Sequence, residues 1–129
     1  MALSFPEDCR YADSHEYVRA EGDLVRVGIS AFAVDQLGDI VFVELPEVGA
    51  SVTQGSSFGS VESVKAVEDV IAPISGTIEA RNEAVLASPE ELQNDPYGEG
   101  WLLLVRPSDP DQLDGLMDAV AYAAKVEGH

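Results

Sequence analysis

Val25, Val27 and Ile29 alternate with Arg26 and Gly28, a period-two pattern that predicts a half-buried strand over Leu24–Ile29. Glu16–Ala20 predicts its partner, with Glu21-Gly22-Asp23 as the connecting turn. Ser30 then offers an N-cap oxygen, so a short helix is expected through about Leu37, with Gly38 at the C′ position where φ is positive. Ile40–Leu45 is a nearly continuous apolar run closed by Pro46. It is too short for a typical helix, and its branched residues and Phe42 predict a buried strand. Further strands are expected between Pro46 and Asn82, punctuated by Gly49, Gly55, Gly59 and Gly76, with Ser75-Gly76-Thr77 as a turn. Ser88-Pro89-Glu90-Glu91 predicts a capped short helix with proline at its first position. Asp95–Gly100 reads as a loop and Trp101–Val105 as a strand. Leu113, Leu116, Met117 and Val120 form an i, i+3, i+4, i+7 stripe, which predicts one C-terminal helix starting at Asp109-Pro110. Residues 1–10 read as a loose lead-in. Short strands with glycine turns and helices towards the ends imply a mainly β domain, a small sandwich or barrel with peripheral helices.

The length of 129 residues fits one domain able to bury its own core, with no fixed-period repeat and no interdomain linker. The charge changes the picture more than the length does. Twenty-four acids against seven bases give a formal −17, which disfavours nucleic acid and anionic membrane surfaces as partners. The same charge favours solubility and speeds encounters with basic patches on other proteins. No apolar stretch has the length of a membrane span, and the first ten residues lack a basic n-region. A cytoplasmic protein is therefore expected, or a processed one such as a mitochondrial matrix form. Cys9 is the only cysteine, so an intrachain disulfide is impossible and a cysteine-based metal site is implausible.

Candidate chemistry is sparse. The two histidines are His15 and the terminal His129, and no Gly-x-Ser-x-Gly nucleophile turn accompanies them. Phosphate-binding glycine loops are missing too. Adjacent acids such as Glu68-Asp69 and Glu90-Glu91 are expected by chance at this composition. The pattern points away from a catalyst. Lysine is normally among the commonest residues, yet the chain has only Lys65 and Lys125. Lys65 lies between two valine-containing β-prone runs, with Glu62 before it and Glu68 and Asp69 after it. Two readings stand side by side: an ordinary exposed turn lysine, or a lysine displayed on a hairpin for another enzyme to modify.

From about Tyr11 to Tyr122 the chain resembles the H proteins of the glycine cleavage system. The similarity runs through Ser14-His15-Glu16-Tyr17-Val18, Val27-Gly28-Ile29-Ser30 and the long block Leu37–Gly49. It continues through Phe58–Ala66, Ala72-Pro73-Ile74-Ser75-Gly76 and Asn94–Leu102. One piece alone is weak; together, in order and at family spacing, they are specific. The family usually has tryptophan where this chain has Tyr17, and often a base at surface positions such as Gln54.

The resemblance implies a barrel-sandwich hybrid of the lipoyl-domain type, one domain over 1–129 with its core at about 11–122. It implies lipoic acid in amide linkage to Lys65, and a non-catalytic carrier. Its arm would accept an aminomethyl group from glycine decarboxylase (the P protein). It would present that group to the tetrahydrofolate-dependent aminomethyltransferase (the T protein) and be reoxidised by dihydrolipoyl dehydrogenase (the L protein). Lipoyl-transferring enzymes are implied as further partners, and a monomer is expected. Glu62, Ser63, Val64, Ala66 and Asp69 become candidates for recognition around the lysine, with plain solvation the alternative for Glu62 and Asp69. Glu16 and Asp69 become candidates for holding the ammonium of the loaded arm. Alternatives are an unmodified or lipoate-relaying relative, or the lipoyl or biotinyl carrier domain of another complex. Biotin carriers usually flank the lysine with methionines, where this chain has Val64 and Ala66.

Overall fold

The computed structural model describes residues 5–127. Nine strands and four α-helices follow one another: β1 (Cys9–Tyr11), β2 (Glu16–Glu21), β3 (Leu24–Ile29), α1 (Ala31–Leu37), β4 (Ile40–Glu44), β5 (Ser51–Val52), β6 (Ser57–Ser63), β7 (Val67–Ile71), β8 (Gly76–Arg81), α2 (Glu83–Ala87), α3 (Glu90–Asn94), β9 (Leu103–Pro107) and α4 (Ala119–Glu127). A 3₁₀ segment, Pro110–Gly115, precedes α4. The strands make two antiparallel sheets: six strands in the order β1-β2-β3-β9-β8-β5, and three in the order β4-β6-β7. Val18, Val25, Val27 and Ile29 from the larger sheet and Val43, Val61 and Val70 from the smaller one belong to the same buried cluster, so the two sheets enclose one core. The barrel-sandwich architecture expected from the resemblance is the one observed.

The local signals for α1 act as read. Ser30 accepts from the Ala33 amide, and Gly38 ends the helix at φ 79°, with its amide bonded to the Val34 carbonyl. A second apolar cluster lies outside the main core, where Tyr122 of α4 stacks on Tyr11 of β1 at 4.5 Å and 6°.

The structure departs from the hydrophobic pattern in five places. Cys9–Tyr11, inside the expected lead-in, is a strand because it pairs with β2 from Cys9↔Arg19 to Tyr11↔Tyr17. The C-terminal stripe is not one helix face. The 3₁₀ segment stops at Gly115, and Met117 exchanges backbone hydrogen bonds with Tyr11 at 2.8 Å in both directions. Asp118 then accepts from the Ala121 amide at 2.8 Å, beside the start of α4. Asn82 does not simply end a strand; its side chain caps α2, a helix that the hydrophobic pattern does not predict. Ser88 closes α2 rather than capping α3, whose first turn has no side-chain cap. Finally, β4 is not buried on both faces. Ile40 pairs with Ser63 and Phe42 with Glu62, so a bulge inserts one extra residue into β4. That insertion breaks the alternation and leaves Val41 and Phe42 both exposed.

Candidate functional site

Lys65 occupies the tip of the β6–β7 hairpin, whose last register pair is Glu62↔Val67. The tip is tied by Ser63. Its amide donates to the Ala66 carbonyl at 2.8 Å, and its hydroxyl oxygen accepts from the Lys65 and Ala66 amides, each at 3.1 Å. This is the local side-chain-to-backbone bonding that favours serine in turns. A further tie runs to the segment before β4, where the Val64 amide donates to the Asp39 carbonyl at 3.0 Å. The lysine side chain is thus displayed from a turn held at both ends.

Glu62, Val64, Ala66 and Asp69 are exposed, whereas Ser63 is buried and engaged inside the turn. Ser63 therefore shapes the tip and presents little surface to a visitor. Gly38 stands beside the lysine: a Cβ there would lie 3.5 Å from Lys65 Cε, on a backbone at φ 79° that L side chains rarely adopt. The missing side chain leaves the lysine stem room to lie across the end of α1.

Beneath this stem opens a cleft of about 400 Å³. α1 contributes Phe32, Ala33 and Gln36 to one wall, the hairpin contributes Lys65, Glu68 and Asp69, and Ser14 and Glu16 come from the start of β2. Asp69 sits on the edge strand β7, opposite Ser60 in register, and borders both the cleft and the outer face of the small sheet. The structure thus brings Lys65, Glu16 and Asp69, which are far apart in sequence, to one cleft. Ser14, Glu68 and Gln36 line it as well. Nothing in the sequence assigns these three to a cleft, because a cleft wall has no local signature.

Glu16 is the chemically unusual member. It is 2% exposed, and one carboxylate oxygen accepts from the Ser14 hydroxyl while the other accepts from the Ile71 amide at 3.0 Å. Burial pushes its carboxyl up to about 7; the two hydrogen bonds oppose that rise without cancelling it. A carboxyl held so gains most from a neighbouring cation. The residue before it, His15, has φ 79° and places Nδ1 2.8 Å from the Tyr122 hydroxyl, which in turn lies 2.7 Å from Ser30 Oγ. One tyrosine on α4 thereby joins the strand entrance that carries Ser14 and Glu16 to the cap of the cleft helix α1.

Lys125, the other lysine, pairs with Asp13 at 3.1 Å on the surface. Cys9 is buried, and its thiol is raised to about 11 mainly by desolvation, so it is a poor redox group. Among the described residues no cluster of three or more His, Cys, Asp or Glu is arranged to hold a metal. No helix among them is long and apolar enough to cross a membrane.

Comparison with known proteins agrees with this geometry. Residues 9–129 match the family model described as glycine cleavage H-protein. The chain is 75% identical to the glycine cleavage system H protein of Synechococcus sp. (strain CC9605), over 98% of both chains. It is 70% identical to that of Prochlorococcus marinus (strain MIT 9303), again over 98% of both. Among solved structures it is similar to a glycine cleavage system H protein from Mycobacterium marinum, with a TM-score of 0.88 and 45% identity. That likeness covers 95% of this chain and 99% of the other.

Proposed function

Because this chain belongs to the glycine cleavage H-protein family, we propose that it carries a lipoyl group on Lys65 and shuttles it between the other proteins of that system. One observation carries the reading: Lys65 projects from a tied hairpin tip, beside a glycine that leaves space for its stem, at a cleft containing a buried carboxyl. When bound, the lipoyl group supplies a disulfide–dithiol couple and a sulfur that accepts an aminomethyl unit from glycine. The chain's own buried Cys9 can supply neither.

Attachment requires the neutral Lys65 amine to attack the carbonyl of an activated lipoyl donor. The C–N bond forms as the bond to the donor's leaving group breaks, and the nitrogen sheds a proton. The product is a neutral amide, so the formal net charge of −17 becomes −18 with the loss of one cation. The exposed tip gives a modifying enzyme access, and Ala66 beside the lysine adds little bulk.

The cleft residues then act on the cargo. Glu16, oriented by the Ser14 hydroxyl and the Ile71 amide, accepts hydrogen bonds from the cargo's ammonium, and Asp69 supplies a second negative charge at the rim. The walls formed by α1 and the hairpin limit the access of water to the labile carbon–nitrogen bond. Glycine decarboxylase, the aminomethyltransferase and dihydrolipoyl dehydrogenase are the proposed visitors. Each has to leave quickly, which calls for small interfaces.

Intact-mass measurement after treatment with a lipoylating enzyme tests attachment. One lipoyl-sized increment is expected on the wild-type chain and none on Lys65→Arg. No increment on either would sink the carrier reading. Reconstitution of the modified protein with glycine decarboxylase then checks that it accepts the aminomethyl group.

A further inference from the structure

Six large hydrophobic residues are exposed among the described residues, and four of them lie on the small sheet and the hairpin tip that carries Lys65: Val41 at 50%, Phe42 at 51%, Val64 at 67% and Val67 at 62%. Their grouping follows from register. The bulge in β4 sets Phe42 opposite Glu62, and Glu62 faces Val67, so the three form one row across the outer face of the small sheet. The next row on that face is Glu44, Ser60 and Asp69. The lysine end of the face thus carries Phe42 and Val67 on its two edge strands with Glu62 between them, and the row behind places a carboxylate on each edge strand. Between Arg26 and Arg81 the chain has no cation except Lys65 itself. Exposed apolar groups on edge strands invite unwanted association, and a contiguous group of them rimmed by polar residues marks an interaction surface.

We infer that this outer face is the docking surface for the enzyme that forms the Lys65 amide, an acyl-transferring protein with an apolar pocket for Phe42 and a rim of Lys or Arg. The inference rests on reading Lys65 as an acylation site. Reach selects the occupant. To acylate the bare amine, a catalytic centre has to come within bonding distance of a nitrogen only about 6 Å from the lysine Cα. Such an enzyme must lie against the tip and the sheet behind it. Enzymes that use the finished arm meet its far end and have no need to cover Phe42. The carboxylates of Glu44, Glu62 and Asp69 complement a basic rim and set the orientation of approach.

The test measures initial rates of attachment by intact mass, with unmodified protein and a purified lipoate ligase supplied with lipoate and ATP. Phe42→Ser removes the central apolar group. Val67→Thr keeps its shape and strand preference while replacing a methyl by a hydroxyl. Phe42→Ser is expected to raise KM about tenfold, and Val67→Thr about threefold, with kcat nearly unchanged, because a few anchors dominate an interface. Val120→Ser, on the exposed valine of α4, is expected to match wild type. Driven to full modification with excess ligase, Phe42→Ser is expected to show a wild-type KM with dihydrolipoyl dehydrogenase. Unchanged KM for attachment in both hairpin-face variants overturns the inference. So does an equal rise in KM with the dehydrogenase, which would make the face a general contact. A wild-type chain that takes no lipoyl increment removes the carrier reading and this inference together. Normal increments at equal rates in all variants remove the inference alone.

Discussion

Glu16 concentrates the chemistry of the cleft in one carboxyl. Its folded value of about 7 lies above the ordinary 4.5, with burial the largest cause. The sign of the consequence follows from linkage. A raised carboxyl contributes stability below about pH 4.5, and that contribution is lost as pH rises towards 7, because the unfolded state ionises first. A shift of that size corresponds to about 3 kcal/mol. Glu16→Gln removes the titration while keeping the shape. The amide oxygen still accepts from the Ile71 amide, and its NH₂ donates to a Ser14 hydroxyl that turns to accept. Denaturant unfolding at several pH values is expected to show the variant gaining about 3 kcal/mol on wild type between pH 4.5 and 7. A difference that stays constant over that window would mean the carboxyl is not strained by burial. The same group sets the pH dependence of the proposed parking. Above pH 7 it is already ionised and ready for an ammonium; below, it has to lose a proton first. The loaded arm is therefore expected to decay faster in wild type as pH falls below 7, and Glu16→Gln to decay fast throughout, as read by ammonia release.

At the scale of elements, α4 braces the residues behind the cleft and the β4 bulge shapes the face beside Lys65; a C-terminal helix is legible in the sequence, but its late start at Ala119 and the bulge are not. α4 is tied to the wall of the cleft through Tyr122. The Tyr122 hydroxyl meets His15 Nδ1 at 2.8 Å and Ser30 Oγ at 2.7 Å, while its ring stacks on Tyr11. Tyr122→Phe keeps the stack and deletes both hydrogen bonds, so a loss of about 1–3 kcal/mol is expected in urea unfolding. Tyr122→Ala also deletes the buried ring and is expected to cost roughly 3–5 kcal/mol. No loss in Tyr122→Phe would show that the hydroxyl bridge contributes nothing, and equal losses in the two variants would show that the ring adds nothing beyond it. The elements that were legible carry their signals locally: the alternation of Val25, Val27 and Ile29, the Ser30 cap and Gly38 at the end of α1. Those that were not depend on partners remote in sequence. Met117 leaves the helical stripe because Tyr11, more than a hundred residues earlier, offers it a strand edge. The apolar run at Ile40–Leu45 reads as buried, yet pairing with β6 inserts a bulge and turns two of its residues outward. Lys65 was legible as an oddity of composition, and Glu16 only through the family resemblance. The cleft that joins them exists only after β2, α1 and the hairpin have come together.

Across the whole molecule, the excess of acid acts on encounter more than on fold. The formal charge of −17 sits on a chain whose ion pairs, among the described residues, are few and largely on the surface, where each contributes little stability. Its long-range field, by contrast, reaches any partner that comes within a Debye length, about 10 Å at 0.1 M salt. A carrier that visits several enzymes in turn gains from fast capture and fast release, and electrostatic steering raises the first without requiring a large, slowly dissociating interface. The proposed acylation of Lys65 would remove the only cation of the hairpin, leaving Glu62, Glu68 and Asp69 as the charged groups around the arm. The KM of the lipoylated protein with dihydrolipoyl dehydrogenase is accordingly expected to rise several-fold between 0.05 and 0.5 M NaCl, by about the factor that screening removes from the association rate. Its kcat is expected to change little, because the chemistry takes place at the end of the arm, inside the partner. A KM that stays flat across that range would show that the charge serves solubility alone and that capture depends on short-range contacts at the hairpin.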